Sequence, residues 1–419
     1  MSRFDPLKVY IINQSFHWFI VGLVFPIMAL LFLEKGADIF QVGALIAAYS
    51  ATVILLELPT GGLADSIGRK RVYLISQGFY AMALATVLLS TALPLLFIGM
   101  ILMGTARALS SGSMDAWFVD EFKKDCPGQD LQRALAKANT IIPVGVASGS
   151  FIGGLLPYYL GPQVDEAFGL GIYSINLMVM LLAVAVQVLL TSILVREERP
   201  AGRGDAWSGA KKLPQVLSTS VQYGFKNRTI LLLLISVAAL GFSLMSVETY
   251  WQPRLKEILG SEAEAWIFGV IAAGYFLANS MGNLVSIPLC SRLKAGRPKA
   301  LAAIRLAMGG ALILLALQGG VWGFAAIYLL FFLLVGVEGS PFAALFNSNV
   351  PSEKRSTLLS LQSLVLQVGG LVGTLVMGYV AQAFSFGAAW SIAGLVLMLS
   401  ALAYFVIPTP QESLDKEGI

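Results

Sequence analysis

Charge is scarce in this chain of 419 residues. Asp, Glu, Lys and Arg make up 12% of it, about half the share of about 25% usual in soluble domains. A folded surface facing water needs more charge than that, so a soluble protein is excluded. Histidine is scarcer still. His17 stands alone, which excludes a metal site built on two imidazoles and with it HExxH chemistry. The two cysteines, Cys126 and Cys290, lie among basic residues at the ends of apolar segments and offer no disulfide framework. No GxxxxGK[ST] loop is present, which speaks against ATP-driven pumping. Neither a serine with a histidine partner nor a pair of aspartates at protease spacing marks an intramembrane enzyme. The longest polar interval, 33 residues, is too short for a soluble sensor domain, since domains begin at about 50 residues. Neither an enzyme nor a nucleic-acid partner is expected.

What the chain has in abundance is hydrophobic residues, 57% of the total. A bilayer core about 30 Å thick takes about 20 residues of helix to cross. Apolar segments near 9–33, 40–63, 72–93, 95–119, 138–160, 169–195, 229–250, 264–289, 300–318, 321–346, 357–384 and 387–408 make twelve such crossings. In lipid each must satisfy its own backbone amides, and runs of this length without period-two alternation choose helices. The first run is too long for the apolar core of a signal peptide and is read as a span. The expected fold is an all-α integral membrane protein of twelve transmembrane helices.

Basic residues fix the orientation. With the N-terminus inside, 24 of the 28 Lys and Arg residues, Arg305 included, fall in cytoplasmic loops. Only Lys35, Arg254 and Lys256 fall outside, and Arg107 lies within a helix. Both termini are therefore expected in the cytoplasm, in the cell's inner (plasma) membrane. The domains follow as an N-terminal six-helix bundle over 1–195, a cytoplasmic linker over 196–228, a C-terminal six-helix bundle over 229–408 and a tail over 409–419. The basic linker is expected to carry an amphipathic surface helix around Lys211 to Phe225. The halves show a faint repeat: Gly145, Gly149 and Gly154 recur as Gly369, Gly373 and Gly378 at an offset of 224, the sign of two related six-helix bundles.

The loop after the second span reads GGLADSIGRKR over 61–71. Gly61 and Gly62 permit tight helix packing, Gly68 permits the reversal, and Asp65 is placed to bond backbone amides or a basic partner. This stretch resembles the G-x-L-a-D-x-x-G-R-[KR] signature of the major facilitator superfamily. Helix four carries Arg107 in RALSSGS, similar to that family's R-x-x-x-G pattern with Gly112 one position late. Helix five reads GVASGSFIGG over 145–154, which looks like the antiporter motif G-x-x-x-G-P-x-x-G-G with Ser150 in place of proline. LELPTGGLAD over 56–65 is most similar to drug-exporter-like bacterial members. The resemblance implies a secondary transporter that alternates a central site between two faces.

Arg107 sits near the middle of its span, where a bare guanidinium costs several kcal/mol and demands a partner or a wet cavity. Ser111 and Asp115 follow at i+4 and i+8 on the same face of one helix, and the three are expected to line a cavity. An ion pair between Arg107 and Asp115 that serves packing alone is the alternative. Asp120 points elsewhere and is expected to pair with Arg69 in a cytoplasmic gate formed with Gly61, Asp65 and Gly68. Asn13, Gln14 and His17 form a polar stripe that faces the bundle interior. His17 is a candidate proton carrier or a hydrogen-bonding helix contact, and Phe16 and Trp18 beside it are read as packing. Glu57, Glu248 (with Arg254 as a partner) and Glu338 complete the cavity candidates. Gly145, Gly149, Gly153, Gly154, Gly369, Gly370, Gly373 and Gly378 are expected to allow close approach between the halves.

The leading functional expectation is proton-coupled efflux of small amphipathic compounds, cations among them, because buried acids outnumber Arg107. Uptake of a small metabolite on the same fold is the alternative, favoured by the missing motif proline. The expected partners are a small-molecule substrate, protons and membrane lipid; the protein is expected to act as a monomer without a cofactor, with the proton gradient as energy source.

Overall fold

The computed structural model describes residues 5–90, 92–197, 227–260, 266–292, 296–350 and 355–407. The expected linker helix around Lys211 to Phe225 and the tail over 409–419 lie outside them. The described residues are almost entirely helical. In chain order the helices are α1 (Pro6–Val24), α2 (Met28–Glu34), α3 (Ile39–Ile67), α4 (Arg69–Leu89), α5 (Leu93–Ser110), α6 (Ser113–Asp125), α7 (Leu131–Tyr159), α8 (Gly161–Phe168), α9 (Ser174–Leu194), α10 (Arg228–Leu259), α11 (Trp266–Arg292), α12 (Arg297–Ala316), α13 (Val321–Ser348), α14 (Arg355–Ala383), α15 (Phe386–Ser400) and α16 (Leu402–Val406). Among the described residues twelve segments are long and apolar enough to cross a membrane, with α5 and α6 forming one and α15 and α16 another. The protein is a multi-pass membrane protein.

Two interruptions refine the expected spans. The first run does not continue to residue 33: α1 ends at Val24 and α2 starts at Met28. Pro26 lies in this gap and has no amide to donate to a helix. The fourth run breaks at Gly112, whose left-handed backbone (φ 69°) is one that residues with a Cβ avoid.

By contacts the chain divides into two compact units. The first takes in Met1–Ala37, Ala48–Leu213 and Glu262–Ala273; the second takes in Asp38–Ala47, Pro214–Ser261 and Gly274–Ile419. Helices α3 and α11 thus contribute residues to both.

Within each unit one helix pair packs by the same device. A Cβ placed on Gly145, Gly149 or Gly153 of α7 would fall on the carbonyl oxygens of Ser15, Phe19 and Leu23 of α1. In the second unit a Cβ on Gly369 or Gly373 of α14 would fall on the carbonyls of Ala238 and Phe242 of α10. Glycines four apart form one stripe of a helix and let two backbones touch. For these five glycines the close approach joins helices within one six-helix half, which corrects the expectation that they bring the halves together. Gly154, one position round from that stripe, meets Gly269 of α11 inside the first unit, an approach between the first six spans and the last six as expected. Gly370 and Gly378 lie against Met245 and the Tyr250 hydroxyl of the second unit.

Candidate functional site

The break at Gly112 shapes the site in the first unit. It ends α5 just beyond Arg107 and restarts the chain as α6 with Asp115 in its first turn. A helix C-terminus favours a cation and an N-terminus an anion, each by about 0.3–1 kcal/mol. One turn-breaking glycine thus stabilises two opposite charges that a continuous helix would hold unaided. The Ser111 amide still donates to the Arg107 carbonyl (2.9 Å), and the Ser113 hydroxyl donates to the Leu109 carbonyl (2.8 Å), so the break leaves its neighbours bonded.

A cavity of about 410 Å³ opens here, lined by Gln14, His17, Arg107, Ser111, Asp115 and Asn139 among others. Pockets of about 300–1,000 Å³ hold drug-sized molecules. Arg107 and Asp115 do not pair. The guanidinium lies 5.5 Å from the centre of the Trp18 ring, a cation–π contact, and among the described residues it has no carboxylate within ion-pair distance. Asp115 accepts a hydrogen bond from the Tyr10 hydroxyl. Tyr10 is fixed from behind, its ring stacked 4.4 Å from that of Phe118 on α6. Phe118, Trp117, Met114 and Phe122 form a buried cluster with Tyr73 and Ala138. The polar face of the cavity thus stands on a packed aromatic floor.

The other sequence candidates are placed as follows. Gln14 and His17 line the cavity, both largely buried; His17 Nδ1 has no hydrogen-bond partner among the described residues, and its ring lies 5.8 Å from Tyr73. Asn13 turns away, fully buried, and donates to the Thr191 hydroxyl at 2.7 Å, so it ties α1 to α9 and is not a cavity residue. Glu57 is outside the cavity lining but accepts the Ser111 hydroxyl at 2.8 Å. Glu338 is corrected from cavity acid to buried partner. It is 2% exposed in α13 and bonded to Arg305 of α12 at 2.6–2.7 Å. Arg305, counted as a loop residue by its place in the sequence, is a fully buried residue inside a span. Glu248 is bonded by the Tyr275 hydroxyl at 2.7 Å; its expected partner, Arg254, pairs with Glu257.

At the loop after α3, Arg69 and Asp120 form an ion pair. Gly68 caps α4 with φ 101°. The surroundings of Gly61, Gly62 and Asp65 lie outside the described residues. Sequence reasoning missed the third member of this cluster, Glu197. Its two carboxylate oxygens accept the Arg69 and Lys70 amides at 2.7 and 3.0 Å. Those amides open α4 and lack helical acceptors, so Glu197 is their cap from 128 residues away. Lys70 in turn donates to the carbonyls of Ser192 and Val195. Among the missed cavity residues are Tyr10 and Trp18. Both sit in an apolar run where an aromatic reads as packing, and no spacing rule connects Tyr10 with Asp115.

A helical membrane protein of twelve spans with a polar, charged cavity at a broken helix has the build of a solute transporter. The Major Facilitator Superfamily model matches residues 10–374, and the chain belongs to that family of transporters. It is 23% identical over 393 residues to the MFS-type transporter YxaM of Bacillus subtilis, spanning 93% of this chain and 92% of that one. It is 24% identical over 388 residues to the tetracenomycin C resistance and export protein of Streptomyces glaucescens, spanning 82% of this chain and 70% of that one. In fold it is similar to the nucleoside transporter NupG, with a TM-score of 0.78 at 16% identity over 96% of this chain and 100% of that one. A bacterial homolog of the human lysosomal transporter Spinster gives 0.72 at 14% identity, covering 96% of each chain. Its substrate is a small molecule.

Proposed function

We propose that this transporter exports small amphipathic compounds, cations among them, in exchange for protons. The observation that carries the reading is the acid of the cavity. Asp115 stands exposed to the cavity space, accepts a phenol hydroxyl and has no basic partner among the described residues, so its carboxylate is open to a cationic occupant. Arg107, held on Trp18, stays available to a carbonyl or other acceptor oxygen of the substrate. The similarity to a resistance and export protein supports the outward direction.

In this reading the protein works as a monomer in the inner (plasma) membrane with both termini in the cytoplasm, as the basic loops require. The Arg69, Asp120 and Glu197 cluster then faces the cytoplasm and acts as the gate that closes when the transporter opens outward. Everted membrane vesicles with an imposed acid-inside gradient test the proposal. Ethidium accumulation that a protonophore abolishes is the expected result. Accumulation only in right-side-out vesicles overturns export in favour of uptake, the reading favoured by Ser150 in place of the motif proline.

A further inference from the structure

The second unit holds a carboxylate inside a span that is apart from the first unit's cavity and has no ion-pair partner among the described residues. Glu248 lies in α10, inside a span, and is half-buried. One of its oxygens accepts the Tyr275 hydroxyl of α11 at 2.7 Å. Among the described residues it has no ion-pair partner. The nearest basic side chain in sequence, Arg254, is occupied by Glu257 (3.0 Å) and the Gln318 carbonyl (2.9 Å). Arg305 is occupied by Glu338.

The surroundings of Glu248 are aromatic. Tyr275 packs edge-on against Phe332 at 4.1 Å, and Tyr328 lies edge-on to the same Phe332 at 4.8 Å and 6.5 Å from Tyr275. Tyr328 is fully buried, and its hydroxyl has no hydrogen-bond partner among the described residues. A buried hydroxyl without a partner is unfavourable, and so is a carboxylate at membrane depth unless it is paired. Two unmet demands in one place, one for positive charge and one for a hydrogen-bond partner, mark a site that something completes. Aromatic faces around an acid attract an ammonium or phosphonium group through the ring quadrupole. We propose that Glu248, Tyr275 and Tyr328 form a subsite for the cationic group of a substrate. This deepens the reading of the protein as an exporter of amphipathic cations and rests on it for the physiological role, though not for the binding itself.

The experiment uses the purified full-length protein in detergent and two probes of similar shape, tetraphenylphosphonium, which is permanently charged, and triphenylphosphine oxide, which is neutral. The parent is expected to bind tetraphenylphosphonium. Glu248→Gln, which keeps the size and an acceptor oxygen, is expected to weaken that binding at least tenfold and to change neutral-probe binding less than about twofold, since only the charge is removed. Tyr275→Phe is expected to weaken it by a smaller factor, and Glu248→Asp to retain part of it. An unchanged tetraphenylphosphonium affinity in Glu248→Gln overturns the proposal. Equal losses for both probes, or a parent affinity weaker than about 1 mM, also overturn it. If vesicles show proton-driven export while Glu248→Gln binds the cation normally, the subsite fails and the exporter reading stands. The reverse pattern leaves the subsite standing alone.

Discussion

The pair formed by Arg305 and Glu338 allows a quantitative test of which charges in this protein serve structure and which serve transport. Its side chains are 0% and 2% exposed, and the guanidinium reaches the carboxylate at 2.6–2.7 Å. Removing one member leaves the other buried and uncompensated, a loss of about 3–5 kcal/mol, whereas replacing both by apolar groups of similar size is often neutral or stabilising. Arg305→Met and Glu338→Leu should each lose that amount, and the double variant should recover most of it. The Tyr404 hydroxyl, which donates to Glu338 at 3.5 Å and accepts from the Ser236 hydroxyl at 2.9 Å, should lose the first contact and keep the second in the double variant. At on the order of 2 °C per kcal/mol for a large chain, each single variant should unfold roughly 5–10 °C below the parent in a thermal scan of detergent-purified protein. The double variant should unfold near the parent and transport normally in proteoliposomes. Single variants that match the parent, or a double variant as unstable as either single, would refute the structural role. A stable double variant that no longer transports would return Glu338 to the transport chemistry.

Further predictions follow from other contacts. Gly149→Val would push a side chain into the Phe19 carbonyl, and overpacking of this kind costs about 1–3 kcal/mol; a lower thermal midpoint, with partial relief from Gly149→Ala, is the expected result. Glu197→Ala removes the cap of α4, a loss of about 0.5–2 kcal/mol, and hydrogen exchange should speed at the Arg69 and Lys70 amides while staying unchanged at the far end of the helix. Burial raises the pKa of Glu34, against the opposing pull of the Ile172 and Tyr173 amides. A raised folded pKa means the protonated form is favoured by folding, so the contribution is present below the ordinary carboxylate range and fades as pH rises through the folded value. Glu34→Gln should therefore flatten the fall of the thermal midpoint over that pH window. A parallel curve for parent and variant would show that Glu34 does not titrate with folding.

The twelve spans were legible because lipid enforces a length and a composition on each helix, and the Gly145, Gly149 and Gly153 stripe was legible because a four-residue spacing fixes a helix face. The placement of Arg107, Ser111 and Asp115 around one space could be anticipated from their spacing, although a continuous helix was the wrong reason. Gly112 divides it within the stretch Ser110 to Ser113, a turn signal that the long apolar run around it overrode in the reading of one span. Pairings between distant segments were not legible. Tyr10 with Asp115, Glu197 with the start of α4, and Arg305 with Glu338 join residues 105, 127–128 and 33 positions apart. Arg305 was misplaced for a physical reason. Charge near the end of an apolar run reads as a loop unless its partner, on another helix, is known.

The exporter account rests on Asp115 as the cavity group that couples ethidium to protons. Purified parent protein in weakly buffered proteoliposomes, loaded with ethidium and an internal pH dye, should release protons into the lumen as ethidium leaves. Asp115→Asn should bind ethidium and release none. Equal proton release from the parent and Asp115→Asn would contradict the account.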